Sequence, residues 1–337
     1  MSSIIADAAD VSYRHGANDV VRVDYLDGWR GMAIALVLQG HFFPLSGFES
    51  GYLGVDIFFC LSGLLMSRIL FVQRVPLATF YKRRISRIFP VFLLFVVLVY
   101  GTALLAGHPS TWPEFVATVT FLRTYLPTYP DIWHSGLPIG HLWSLNVEEH
   151  CYILLSAFTL FTAVRLRAGW LLLLLGTAAV GIHLGYNRYP ELAPANDEIR
   201  TETAAAYLLI SAGYFLMRER FVPLVRPWMP LVAFALAAAC YWRGMPESIS
   251  VFVTPFLLAF AVNHLGQVKA EILTALATAP LRVLGICSYS VYLWQQPFFQ
   301  FKAYFPPGLA LLCALLTGGA SFYLFENPVR AWLNRHW

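Results

Sequence analysis

The residues able to do chemistry fall in four short stretches. In DGWRGMAIALVLQGHFF, residues 27–43, Arg30 and His41 stand eleven positions apart. On a helix that is about three turns, which puts both side chains on one face roughly 16 Å apart along the axis, with Asp27 a turn before Arg30. An imidazole titrates near neutrality, with an ordinary pKa of about 6.5, and so suits general-base work. In GHLWSLNVEEHCY, residues 140–152, Glu148 shares a helix face with His141, Ser144 and Tyr152. Its neighbour Glu149 points about 100° away, so the two carboxylates are not expected to serve one spot. Glu148 can orient an imidazole or balance its charge, while Glu149 reads better as the partner of a buried arginine or helix terminus. In GYLGVDIFFCLSG, residues 51–63, Asp56 near the outer interface fits a helix N-terminal charge, and Ser62 and Gly63 fit close helix packing. In FYKRRISRIFP, residues 80–90, Arg83, Arg84 and Arg87 can turn three guanidinium groups one way. Such a cluster either binds phosphate bidentately or only sets topology beside anionic lipid.

The elements that must hold these groups are membrane helices. Of the 337 residues 58% are hydrophobic, 16% aromatic and only 12% charged, against about a quarter charged in soluble domains. The apolar residues come in blocks, which excludes a large soluble core and reads as integral membrane. Ten spans are expected: 29–47, 52–72, 88–106, 141–163, 169–186, 203–218, 228–243, 248–265, 283–301 and 308–326. With the N-terminus inside, only Arg123, Arg188, Arg200, Arg243 and Lys302 of the 23 Lys and Arg fall outside. That bias predicts an all-α protein of about ten transmembrane helices with both termini cytoplasmic. If Arg30 marks the cytoplasmic boundary, His41 lies near the bilayer midplane, where an ionisable residue is by default functional.

Residues 1–25 are polar, without the apolar core of a secretory signal, and read as a cytoplasmic tail. Residues 26–337 read as one transmembrane domain with no appended soluble domain. Between the third and fourth spans, roughly 107–140, lies an aromatic and proline-rich outer loop; an inner loop is expected at 73–87. Trp112, Tyr125 and Trp133 of the outer loop, with His141, could receive a sugar by stacking and hydrogen bonding, or anchor the interface. No metal is expected: His134, His141 and His150 lack a HExxH spacing, and five cysteines without a CxxC give neither a zinc knuckle nor a disulfide framework. The net charge of +4 follows from loop topology and implies no nucleic acid.

Together these stretches resemble the integral-membrane acyltransferase type-three family, the O-antigen acetylase-like O-acyltransferases of bacteria. LDGWRGMAIALVLQGHF is similar to its first-helix signature, GVDIFFCLSGLLMSRIL to its second-helix motif, FYKRRISRIFP to its basic loop and HLWSLNVEEHCYIL to its fourth-helix motif. LGICSYSVYLWQQPF and SFYLFENPVR resemble its last two helices, so the likeness covers nearly the whole chain. His150 and Cys151 stand where the family more often has Gln and Phe, and Gln295 where His is common.

The resemblance implies a multi-pass protein of the bacterial cytoplasmic (inner) membrane. It implies transfer of an acyl group, usually acetyl, from cytoplasmic acyl-CoA to a hydroxyl of an envelope or secreted carbohydrate. Arg30 and His41 are then functional, as are Arg84 and Arg87. On this reading Arg84, Arg87, Arg83 and Arg30 hold the acyl-CoA phosphates and His41 is the general base. Glu148 orients it, and Asp27, Asp56, Glu149 and Tyr152 support the site. Acylation of a lipid or small natural product is the alternative acceptor chemistry. A proton-coupled transporter with His41, Glu148 and Asp56 as a relay is the rival from another class, although no internal repeat is visible. The acyl group and the oligomeric state are not legible.

Overall fold

Proline and glycine decide where the first helix stops. In the computed structural model, which describes residues 24–161 and 165–337, α1 runs Asp24–Phe42. Its first turn carries Asp24 and Asp27 and its last carries His41, a distribution that suits the helix dipole. Pro44 disfavours helical backbone at Phe43, and Gly47 turns the chain at φ 78°. The expected span of 29–47 is therefore shifted towards the N-terminus, and His41 sits in the last turn of α1 and not near its middle. The expected tail, 1–25, lies almost wholly outside the described residues, as does the end of the expected span 141–163.

From the loop, α2 (Ser50–Ser67) returns alongside α1 and continues as a π-helical turn, Arg68–Val72. The two helices touch backbone to backbone: a Cβ on Gly40 would lie 2.6 Å from the Gly51 nitrogen. Small residues allow that approach. α3 (Leu77–Leu105) begins directly after Pro76, so the expected loop 73–87 is cut to 73–76, which holds Arg74, and Lys82, Arg83, Arg84 and Arg87 lie in the opening turns of a 29-residue helix. The segment between α3 and the next long helix holds α4 (Trp112–Val119), started by a Thr111/Glu114 capping box. A 3₁₀ turn, Gly140–Leu142, leads into α5 (Trp143–Phe161).

The chain goes on through α6 (Arg165–Arg188), a helical turn at Thr201–Ala204, α7 (Ala206–Met217), α8 (Met229–Ala239) and α9 (Glu247–Asn263). Then follow α10 (Ala270–Leu276), α11 (Ala279–Ile286), α12 (Ser288–Gln300), α13 (Pro307–Ser321), a second π-helical turn (Phe322–Glu326) and α14 (Asn327–His336). Among the described residues every regular element is helical.

Four stretches are long and apolar enough to cross a membrane: Ser50–Val72, Leu77–Leu105, Arg165–Arg188 and Pro307–His336. The remaining apolar blocks are helical but shorter or broken; the expected span 283–301, for example, divides at Cys287 between α11 and α12. α1 is central: α2 packs on one side of it, α11 on another, and α12 reaches its far end. A continuous core of Ala33, Ile34, Val37, Ile57, Phe95, Val147 and Leu293 fills the space between them.

Candidate active site

Two adjoining cavities run along α1. The first, of about 110 Å³, collects Arg30 from α1, Ser62 from α2, Arg84 and Arg87 from α3, and Glu148 and Tyr152 from α5, against the N-terminal part of α12. Arg84 is fully engaged: its Nε and Nη2 donate to Glu149 Oε1 at 3.1 and 2.7 Å, and Nη2 lies 3.8 Å from Glu148 Oε2. Its guanidinium carbon stands 3.3 Å from the centroid of the Tyr152 ring. The two glutamates thus meet one cation, contrary to the expectation from their 100° separation. A guanidinium is a broad planar fork, and one placed between two carboxylates can touch both.

Glu148 also accepts from the Ser62 hydroxyl. Arg30 Nη2 donates to Ser288 Oγ at 3.2 Å, while its buried Nε has no partner. Arg87 lines the cavity and makes no hydrogen bond or ion pair among the described residues. Arg83 is exposed and outside the cavity, because the face of α3 turned to α5 carries Arg84, Arg87 and Ile88. Asp27 is half-buried, within electrostatic reach of Arg30.

The second cavity, of about 250 Å³, opens at the C-terminal end of α1 and is lined by His41, His141, Trp133, Glu49, Arg243 and Gln296, among others. Val55 and Tyr292 line both cavities, so the two abut. His41 Nδ1 lies 2.7 Å from Gln295 Oε1. An amide oxygen only accepts, so Nδ1 carries the proton and Nε2 keeps its lone pair. The Gln295 amide nitrogen donates in turn to Gln296 Oε1 at 3.3 Å, which fits that orientation.

The His41 ring stacks on Phe299 at 4.2 Å, and Lys302 Nζ donates to the His41 carbonyl at 2.9 Å, capping the end of α1. Gly51 leaves room at the Nε2 edge: a Cβ built on it would be 3.9 Å away. Glu148 lies in the other cavity, so the residue orienting His41 is Gln295. The only signal for it in the sequence was its departure from the family pattern.

His141 is 3% exposed, with its carbonyl held by Tyr292 Oη at 2.9 Å and Ser144 Oγ at 3.2 Å. Of the aromatic residues expected at an acceptor site, Trp133 lines the second cavity. Trp112 does not; it is 73% exposed and stacks on Phe115 at 5.1 Å. Tyr125 ties the segment after α4 to the turn before α7: its hydroxyl donates to Glu202 at 2.7 Å and accepts from the Thr201 backbone at 3.0 Å.

Asp56 lines neither cavity and is buried, accepting from Tyr241 Oη at 2.5 Å. Its carboxylate joins α2 to the residues after α8 and does not serve as an N-terminal helix charge. Gln296, Phe299, Lys302, Glu49, Arg243 and Tyr292 were missed because single apolar, amide or loop residues carry no spacing signature. Among the described residues no three His, Cys, Asp or Glu side chains gather as metal ligands, and the five cysteines are unpaired.

An imidazole with a fixed tautomer beside a cationic cavity suits transfer of a group from an anionic carrier. The chain is similar to the O-acetyltransferase OatA of Staphylococcus aureus (strain NCTC 8325), 26% identical over 90% of this chain and 57% of the relative. It is similar to the peptidoglycan O-acetyltransferase OatA of Listeria monocytogenes, 27% identical over 91% of this chain and 56% of the relative. A putative peptidoglycan O-acetyltransferase, YrhL, of Bacillus subtilis is 26% identical over 90% of this chain and 54% of its own length. The chain therefore spans about half the length of the curated relatives it matches. No solved structure matches it. A family model described as an acyltransferase domain, the type-three acyltransferases, matches residues 23–328, and the chain belongs to that family.

Proposed function

We propose that this chain is a multi-pass O-acetyltransferase of the bacterial inner membrane, with ten crossings and both termini in the cytoplasm. It moves an acetyl group from cytoplasmic acetyl-CoA to a hydroxyl of an envelope carbohydrate. The charge bias of the loops supports the topology, and the names of the relatives support a peptidoglycan sugar as acceptor. The observation that carries the chemistry is the Gln295–His41 hydrogen bond, which leaves the Nε2 lone pair facing a cavity next to three arginines.

Acetyl-CoA approaches from the arginine end. Arg87 and Arg30 meet its phosphates, with Arg83 on the exposed flank of α3, and Arg84 holds the wall together through Glu148, Glu149 and Tyr152. The pantetheine arm runs the roughly 16 Å from Arg30 to His41 along α1, passing Val55 and Tyr292. His41 Nε2 takes the proton of the acceptor hydroxyl as its oxygen attacks the thioester carbonyl. The tetrahedral intermediate expels the coenzyme thiolate, which receives that proton from the imidazolium. General-base help of this kind is typically worth about 10²–10⁴-fold.

The test uses membrane vesicles carrying the protein or His41→Ala at equal expression, acetyl-CoA labelled on its acetyl group, and purified peptidoglycan. Label is expected in the peptidoglycan with the unaltered protein and not with the variant. Equal labelling by both removes His41 as the base. Absence of label with both means that the donor or the acceptor is misassigned.

A further inference from the structure

Two histidines are fully buried among the described residues, and they are treated differently. His264, 1% exposed, uses both ring nitrogens: Nε2 meets Tyr214 Oη at 2.8 Å and Nδ1 meets Gln267 Oε1 at 2.5 Å. That is how a structural histidine is satisfied. His141, 3% exposed, is not satisfied in this way: neither Nδ1 nor Nε2 makes a well-formed hydrogen bond, and the Leu293 carbonyl is the backbone group close enough to interact with the ring. Its surroundings are aromatic, with Phe95 edge-on at 5.5 Å and Tyr292 tilted at 5.2 Å. Burying polar nitrogens there goes uncompensated unless something else comes to them.

The backbone at this position is held firmly. Tyr292 Oη and Ser144 Oγ both lie within hydrogen-bond distance of the His141 carbonyl and 2.8 Å from each other, a triangle of oxygens served by the two hydroxyl protons. The 3₁₀ turn is thereby pinned to α12, and the imidazole is fixed at the wall of the cavity that also holds His41. A rigid polar group in the lining of a cavity, without a well-formed hydrogen bond of its own, is preorganised for a ligand atom that reaches it.

The two imidazoles have complementary states. His41 has its tautomer set by Gln295 and presents a lone pair. His141 has no well-formed hydrogen bond to fix its tautomer, so either nitrogen can carry the hydrogen it presents. We propose that His141 is a catalytic residue of the acyl transfer, donating an N–H hydrogen bond to the carbonyl oxygen of the acyl thioester and to the oxyanion that replaces it. This rests on the acyltransferase reading of the same site.

In the step, the acceptor O–C bond forms and the C–S bond breaks. The acceptor proton passes to His41 Nε2 and then to the departing thiolate. His141 keeps its own proton throughout and acts as a neutral electrophile, a use of imidazole known where a carbonyl must be polarised. Removing one oxyanion donor typically lowers kcat by about 10²–10³-fold.

The experiment compares the unaltered protein, His141→Phe and His141→Gln in vesicles. It uses acetyl-CoA labelled on its acetyl group with purified peptidoglycan, and reads kcat, KM for acetyl-CoA and the melting temperature in detergent. Phenylalanine suits the aromatic surroundings and removes two unsatisfied nitrogens, so His141→Phe should melt no lower than the unaltered protein while kcat falls by about 10²–10³-fold at unchanged KM. His141→Gln, which can offer an amide donor, should recover part of kcat. An unchanged kcat in His141→Phe overturns the proposal, as does a loss in both variants that tracks a lowered melting temperature. If the unaltered protein transfers no label while binding acetyl-CoA, the acyltransferase reading itself fails and this inference falls with it.

Discussion

Gln295 Oε1 lies 2.7 Å from Nδ1 of His41, although 254 positions separate the two residues in the chain. The contact brings α12 to the end of α1 and gives the imidazole one tautomer and one orientation. A neutral amide does this without placing a second charge in the apolar interior, where an unpaired carboxylate would be costly. In the proposed mechanism, an imidazolium at His41 would have an amide and not a carboxylate on its Nδ1, which would favour rapid return of the proton to the leaving thiolate.

Gln295→Met keeps the volume and removes the acceptor. The variant should lose roughly ten- to a hundredfold in kcat, the loss typical when a histidine ligand loses its orienting partner, with KM for acetyl-CoA unchanged. Steady-state kinetics in vesicles measure this directly. A variant with full kcat would show that His41 does not depend on Gln295 for its tautomer.

The sequence made the chemical groups legible but not their pairing. Arg30 and His41 stand on one helix, so their spacing could be read from helix geometry alone. The partner of His41 comes from α12, and no local pattern points to it. The apolar blocks announced helices, yet the end of α1 was placed five residues late because the apolar run continues through Phe43 and Leu45. The helix ends at Phe42, two residues before Pro44. Glu148 and Glu149 were separated by assuming a point-like partner, whereas Arg84 is broad enough to meet both. The basic stretch was read as an inner loop although its arginines were already placed by helical spacing, because the apolar run begins only at Ile88. In the fold it is the start of α3, and the helix decides which arginines face inward.

Arg84 and Arg87 are expected to fail in different ways. Arg84 is held by Glu149, Glu148 and Tyr152, so Arg84→Ala leaves two carboxylates in a partly buried wall without their cation. Breaking such a pair costs about 3 kcal/mol, which should appear as a lower melting temperature in detergent. Arg87 has no such engagement, so Arg87→Ala should leave the melting temperature near that of the unaltered protein. It should raise KM for acetyl-CoA on the order of tenfold, the value of one charge-assisted hydrogen bond to phosphate. The opposite pattern, with Arg84→Ala stable and weak in donor binding, would move the phosphate site onto Arg84.

The space in front of His41 Nε2 gives the last prediction. A Cβ on Gly51 would stand 3.9 Å from Nε2 and from the neighbouring ring carbon, an ordinary van der Waals contact, so alanine fits there without displacing the imidazole. Gly51 belongs to the first turn of α2, where alanine is also the better helix former. Gly51→Ala should therefore fold normally and keep most of its activity. Gly51→Leu places its branched end in the cavity where the acceptor hydroxyl must approach, so it should raise KM for the acceptor and lower kcat while coenzyme A binding stays intact. Isothermal titration with coenzyme A, together with label transfer to peptidoglycan, separates these effects. Undiminished transfer by Gly51→Leu would mean that the acceptor reaches His41 from another side.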